Sequence, residues 1–199
     1  MVSGPWRQTG LAEVFREARD SRHGDVAFVD FQYYEPSEGA PAAFVAGPIF
    51  EDDGELLGVL AFQVSPERIN EEMHYTDGMG ETGETFIVGD DLLMRSDSRF
   101  SDTSAVLERT VDTEPVRRAL AGESSVDRSI DYRGVEVLSA YGPVDFEGAR
   151  WAVIADIELE EVLRPARMLR RNIFLTGLFV IVLLALAGAV APGPLTRNQ

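Results

Sequence analysis

The 199-residue chain has no cysteine and no lysine: all 18 basic residues are arginine. The missing thiol excludes a disulfide framework, a cysteine nucleophile and a cysteine-ligated metal. The missing lysine excludes a Schiff-base amine and a P-loop lysine. Only two histidines are present, His23 and His74, which gives no basis for a histidine-rich metal site. Positive charge is the minority species: 34 acidic residues leave a net charge of -16 and a pI near 4.4. That balance excludes the basic surface a nucleic-acid partner requires. No cofactor, no metal and no nucleic acid are expected.

Hydrophobic residues make up 45% of the chain, enough for a packed core. The length allows one ordinary domain or two small ones. Acidity with arginine as the only base fits a GC-rich genome or a saline exterior, where salt screens carboxylate repulsion. The charge is unevenly placed. Residues 1–163 hold all 34 acids and 13 arginines, a net of -21, and residues 164–199 carry +5.

The run IFLTGLFVIVLLALAGAV, Ile173–Val190, has eighteen residues and no charge. At about 1.5 Å per residue it is roughly 27 Å long, close to a bilayer core. A transmembrane helix is expected there. The N-terminal MVSGPWRQTG has no apolar stretch of the signal-peptide kind. Arg164, Arg167, Arg170 and Arg171 precede the span and Arg197 follows it. Counted on this sequence, the positive-inside bias places the soluble part in the cytoplasm, as a tail-anchored interaction domain. In a fragment of a longer receptor the count is truncated, and the orientation is open.

Before the span, apolar positions 11, 14, 15 and 18 predict a helix over Leu11–Arg19. Short apolar runs bounded by turn residues predict strands at Val26–Phe31, Ala43–Ala46 and Leu56–Val64, with Glu51–Gly54 as a hairpin turn. Ser65 and Pro66 read as a cap and first helical residue, opening a helix to about Met73. A second set follows: strands Glu84–Val88 and Leu92–Ser96, a helix Glu114–Leu120 capped by Thr113, then strands Ser125–Tyr132, Val135–Tyr141 and Ala152–Ile157. Two strands, a helix and a three-stranded meander make a small PAS-like α+β unit. The first seventy residues read as the later strands of another. Glu158–Arg171 is a polar helical run into the membrane span.

Gly78, Gly80 and Gly83 match G-x-G-x-x-G, but a helix precedes them and a strand follows. That reverses the dinucleotide-binding context and leaves a turn between modules. Arg95, Ser96 and Arg99 put two arginines and a hydroxyl near a strand end. They are candidates for anion binding or for local ion pairing. On a regular strand, Asp30, Gln32 and Tyr34 share one face and Phe31 and Tyr33 the other. An aspartate among aromatics is a cation-binding arrangement, so Asp30, Tyr33 and Tyr34 are candidate ligand contacts. The acid pairs Asp52–Asp53 and Asp90–Asp91 read as solvated turns. No Ser/His/Asp constellation is evident, and no enzymatic activity is expected.

GMGETGETFIVGDDLLMRSDSRF, Gly78–Phe100, resembles the centre of the double-Cache sensor region of bacterial transmembrane receptors, above all the methyl-accepting chemotaxis proteins. FVDFQYYEPSEGAPAAFVAGPIF resembles the later strands of the membrane-distal module, and GVLAFQVSPERINEEM its last strand and exit helix. VLSAYGPVDFEGARWAVIADIELEEVL resembles the closing strands of the membrane-proximal module. The resemblance spans about residues 10–190. It implies PAS-like antiparallel modules of the Cache type: a partial distal module at 1–75 and a proximal one at 76–157. A juxtamembrane helix at 158–172, a transmembrane helix at 173–190 and the start of a HAMP-like linker at 191–199 follow. The distal module lacks its first helix and early strands. The implied function is extracytoplasmic sensing of a small molecule for chemotaxis. The implied chain is anchored in the inner membrane and homodimeric through its membrane-proximal helices. Histidine kinases and adenylate or diguanylate cyclases carry the same kind of input.

Overall fold

The computed structural model describes residues 4–190, with side chains to residue 186. The expected linker at 191–199 lies outside the described residues. The chain divides into two compact units after Leu159.

Helix α1, Gly10–Arg19, opens the first unit, one residue earlier than the apolar spacing predicts. Its buried Val14 and Ala18 lie on a three-stranded antiparallel sheet ordered β1 (Ala27–Tyr33), β2 (Pro41–Phe50), β3 (Leu56–Val64). Ala27, Tyr34, Ala42, Phe44 and Ala46 complete that core. Phe44 is almost wholly enclosed, and truncating such a ring costs about 3–5 kcal/mol. The β2–β3 hairpin closes as the turn residues require. Gly54 sits at φ +87, and the Glu51 N–H donates to the Glu55 carbonyl at 2.8 Å.

Strand β1 departs from the regular alternation. Ala27, Phe28 and Val29 face Ala46, Val45 and Phe44, but Gln32 faces Ala42. Three steps on β1 thus match two on β2, and Asp30 and Phe31 stand opposite Ala43 alone. This is a β-bulge, and it inverts the faces beyond it. Val29 packs against the α1 core and Tyr34 lies within it. Asp30 therefore does not share a face with Gln32 and Tyr34, contrary to the regular-strand reading. The bulge N–H of Phe31 donates to the Asp30 carboxylate at 2.7 Å.

Helix α2, Pro66–Met73, leads to a second antiparallel sheet ordered β4 (Glu84–Gly89), β7 (Ala149–Glu158), β6 (Glu136–Phe146), β5 (Ser125–Ile130). Helix α3, Glu114–Leu120, covers one face. Phe86, Val88, Tyr141, Ala152 and Ile154 from the sheet pack with Val116 and Ala119 from α3. Both helices match their expected bounds, yet neither Ser65 nor Thr113 makes a side-chain cap bond. A proline in each first turn already removes one of the donors a cap would satisfy.

Leu92–Ser96 is not a strand. Leu92 has φ +65, which breaks extension, and only isolated bridges form, Val88 with Met94 and Leu93 with Thr110. The proximal order is one strand, a loop, a helix and a three-stranded meander. The glycine motif is a turn: Gly78 and Gly80 have positive φ. A Cβ at Gly83 would lie 2.0 Å from the Met79 carbonyl oxygen, so only glycine fits there.

Helix α4, Leu159–Val190, begins directly after β7. Residues Leu159–Leu186 contain a stretch long and apolar enough to cross a membrane. Pro165 sits in its second turn, where it removes one intrahelical hydrogen bond.

Candidate functional site

Two candidate clusters separated by 65 positions in sequence meet at the junction of the sheets. The Arg95 guanidinium lies 3.0 Å from Asp30 and 3.0 Å from Asp91. Its Nη1 also donates to the Leu93 carbonyl. Arg95 is only 2% exposed. Burial works against its cation, but the hydrogen bonds it donates to Asp30 and Asp91 outweigh this and raise its pKa. The Trp151 indole N–H, from β7, donates to the same Asp30 carboxylate at 3.0 Å. Phe28 sets its edge against the Trp151 and Phe146 rings, and Phe31 stacks on Trp151. Gly89 leaves room for the guanidinium: a Cβ there would come within 2.3 Å of it. Asp91, read from sequence as a solvated turn residue, is half of this clamp.

The bulge explains why Asp30 is available. It releases one position from the ladder and turns the carboxylate away from the α1 core toward β7. The other two ligand candidates lie elsewhere. Tyr34 is buried in the α1 core, edge-on to Phe44 at 4.9 Å. Tyr33 is exposed and donates its hydroxyl to Glu108. The three do not line one cavity.

Ser96 and Arg99 also find partners inside the protein. The buried Ser96 hydroxyl oxygen accepts the Ile87 N–H, and the Arg99 side chain donates to the Gly83 carbonyl. Glu84, buried at the start of β4, accepts the Arg99 backbone N–H and the Tyr132 hydroxyl. Burial pushes the Tyr132 phenol pKa up; its Ser98 bond opposes this and Glu84 reinforces it. Beside Glu84 lie two further buried acids, Asp131 and Asp156. Sequence reading missed all three. Glu84 and Asp156 occupy inward positions of otherwise apolar strands, in phase with Phe86 and Ile154, and that was the available signal.

An open cleft of about 690 Å³ lies beside α3. Asp112, Glu114, Asp131 and Glu136 line it together with Arg128, so it is acidic. Among the described residues no group of three or more acidic, histidine or cysteine side chains is arranged to hold a metal ion.

A family model described as a Cache domain matches residues 8–166. No curated protein matches the chain in sequence. Among solved structures, the periplasmic sensory domain of the Campylobacter jejuni chemoreceptor Tlp1 superposes with a TM-score of 0.58 at 16% identity, over 80% of this chain and 58% of that one. The ligand-binding domain of the Pseudomonas aeruginosa amino-acid chemoreceptor PctB, in complex with L-Arg, gives 0.51 at 14% identity, over 81% and 65%. That of PctC from the same organism, in complex with GABA, gives 0.50 at 18%, over 79% and 65%. The chain thus spans less than two thirds of the length of these domains, and at such identities the likeness is one of fold. The family model covers most of the chain, and the fold likeness accords with it: this protein belongs to the Cache domain family.

Proposed function

We propose that this chain is the extracytoplasmic sensory region of a transmembrane signal-transduction receptor of the chemotaxis type. The observation that carries the reading is the direct passage of β7, a central strand of the proximal sheet, into the apolar α4. A small displacement of that strand has a covalent route to a membrane-crossing helix, the arrangement a two-state receptor needs. The input is a small molecule. PctB and PctC were solved with L-Arg and GABA, so an amine-bearing carboxylate is the class we assign. The receptor acts as a homodimer through its membrane-proximal helices and has no catalytic role in this segment.

Asp30, Tyr33 and Tyr34 remain the proposed ligand contacts, with unequal access. Tyr33 is open to solvent, Asp30 is reached by displacing Arg95, and Tyr34 acts from behind the sheet. Thermal unfolding of the whole receptor with a panel of L-amino acids and GABA tests this. A ligand-induced rise in midpoint that disappears in Tyr33→Phe or Asp30→Asn supports the assignment. A rise unchanged in both removes these residues from the site.

Arg164, Arg167, Arg170 and Arg171 favour a second reading, a cytoplasmic tail-anchored domain. A reporter fused at residue 1 decides between them. Alkaline-phosphatase activity supports the sensor, and fluorescence confined to the cytoplasm supports the anchored domain.

A further inference from the structure

The interior of the proximal sheet holds a group of side chains that ligand binding in the distal sheet does not use. Glu84 on β4 and Ser139 on β6 both register with Asp156 on β7. Cross-strand partners on one face stand about 5 Å apart at Cβ. All three are at most 4% exposed. The Asp156 Oδ1 and the Ser139 hydroxyl are both enclosed and neither has a partner in good hydrogen-bond geometry; Ser139 stands near enough to favour the charged Asp156, but one neutral hydroxyl does not offset the burial. An ionised carboxylate oxygen left bare in an enclosed site costs several kcal/mol, so such a group takes up a proton instead.

The surroundings carry excess negative charge. Glu84 faces Asp156 from β4, and Asp131 and Arg133 face it from the β5–β6 turn. On β7 itself, Glu158 lies 3.9 Å from Arg133. The Arg133 guanidinium already belongs to Asp131, at 2.7 Å, and its enclosed Nη2 has no hydrogen-bond acceptor. Ser98 and Tyr132 extend the network through Glu84, and the Arg99 backbone N–H is committed to the same carboxylate. Arg133 is thus shared among Asp131, Glu84 and Asp156, while the Arg99 side chain is committed to the Gly83 carbonyl and Arg109 lies over the Tyr132 ring.

We propose that Asp156 and its neighbours Glu84, Ser139, Asp131 and Arg133 form a proton-binding site, giving the proximal module a second input, external acidity, separate from any small-molecule ligand. Burial pushes the Asp156 pKa up to about 6; Ser139 and Arg133 oppose the rise and Asp131 and Glu84 reinforce it. Below that pH the neutral acid sits quietly in the sheet. Above it, a new interior charge competes for Arg133 and draws on its contact with Glu158, the last residue of β7. Proton loss is thus registered two residues from Asp156, at the point where the chain enters α4.

Hydrogen exchange on the full chain in lipid nanodiscs, from pH 5 to pH 8 and corrected for intrinsic rates, tests this. Infrared carboxylic-acid absorbance is followed in parallel. The proposal expects a sigmoidal change in protection at 131–136 and 156–160, centred near pH 6, with loss of one acid band at the same midpoint. Asp156→Asn holds the low-pH pattern throughout, and Glu84→Gln moves the midpoint down. A transition that persists in Asp156→Asn overturns it, as does a wild-type profile flat across this range. The readouts need no ligand, so their failure leaves the small-molecule reading standing.

Discussion

Asp30 on β1 and Arg95 in the loop after β4 form a 3.0 Å ion pair with the arginine almost fully enclosed and the aspartate a quarter exposed. Removing one partner of an enclosed pair leaves an uncompensated charge, which costs about 3–5 kcal/mol. Asp91 remains beside Arg95, so Asp30→Ala should destabilise the soluble unit by about 2–4 kcal/mol. Arg95→Met should cost less, since it leaves no enclosed cation and Asp30 keeps its Trp151 bond. Thermal denaturation of both variants checks the asymmetry, and equal losses would contradict it.

Gly89 and Arg95 should behave as one unit. A methyl at residue 89 would press on a guanidinium pinned by two carboxylates and a carbonyl. Overpacking of this kind costs about 1–3 kcal/mol. Gly89→Ala should cost that much alone and little once Arg95 is alanine. A double-mutant cycle reads the difference, and additive losses would show that the two do not interact.

The helices and turns were legible because their signals are local. Pro66 and Pro115 mark first turns, Gly54, Gly78 and Gly80 adopt positive φ where turns are expected, and β3 matches its expected bounds. The β1 bulge was not legible, because pairing with β2 sets it and no residue within Asp30–Phe31 announces it. Leu92–Ser96 looks extended by composition, but a left-handed leucine breaks it. Asp30 and Arg95 were each singled out separately. Their pairing depends on how two sheets meet, and no periodicity encodes that.

The Asp156 carboxyl should also leave a signature in stability against pH. Its native pKa, about 6, lies above the ordinary 3.8, so the folded state binds the proton more tightly than the unfolded chain. That contribution is complete below about pH 4 and is lost as pH rises to about 6. The stability of Asp156→Asn relative to wild type should therefore climb by about 3 kcal/mol across that window and stay level above it. Denaturant melts at four pH values suffice, and a constant difference would place an ordinary carboxyl at 156.

Strand β3 is an edge of its sheet, yet Leu57 and Phe62 are 67% and 59% exposed. An apolar edge with unpaired backbone groups invites pairing with other chains. Leu57→Arg and Phe62→Arg should reduce self-association in sedimentation velocity while changing stability by no more than about 0.5 kcal/mol. Undiminished association would direct attention to another surface.

The extra residue in β1 ties the Asp30–Arg95 pair to the residue count of the strand. Removing one residue at 30 or 31 would leave two steps on β1 against two on β2, so Gln32 would still face Ala42 and Tyr34 would stay in the α1 core. What would go is the released position from which the Asp30 carboxylate reaches Arg95 and Trp151. The residue count between Val29 and Gln32 is therefore a practical marker for that ion pair when new sequences are aligned to this one.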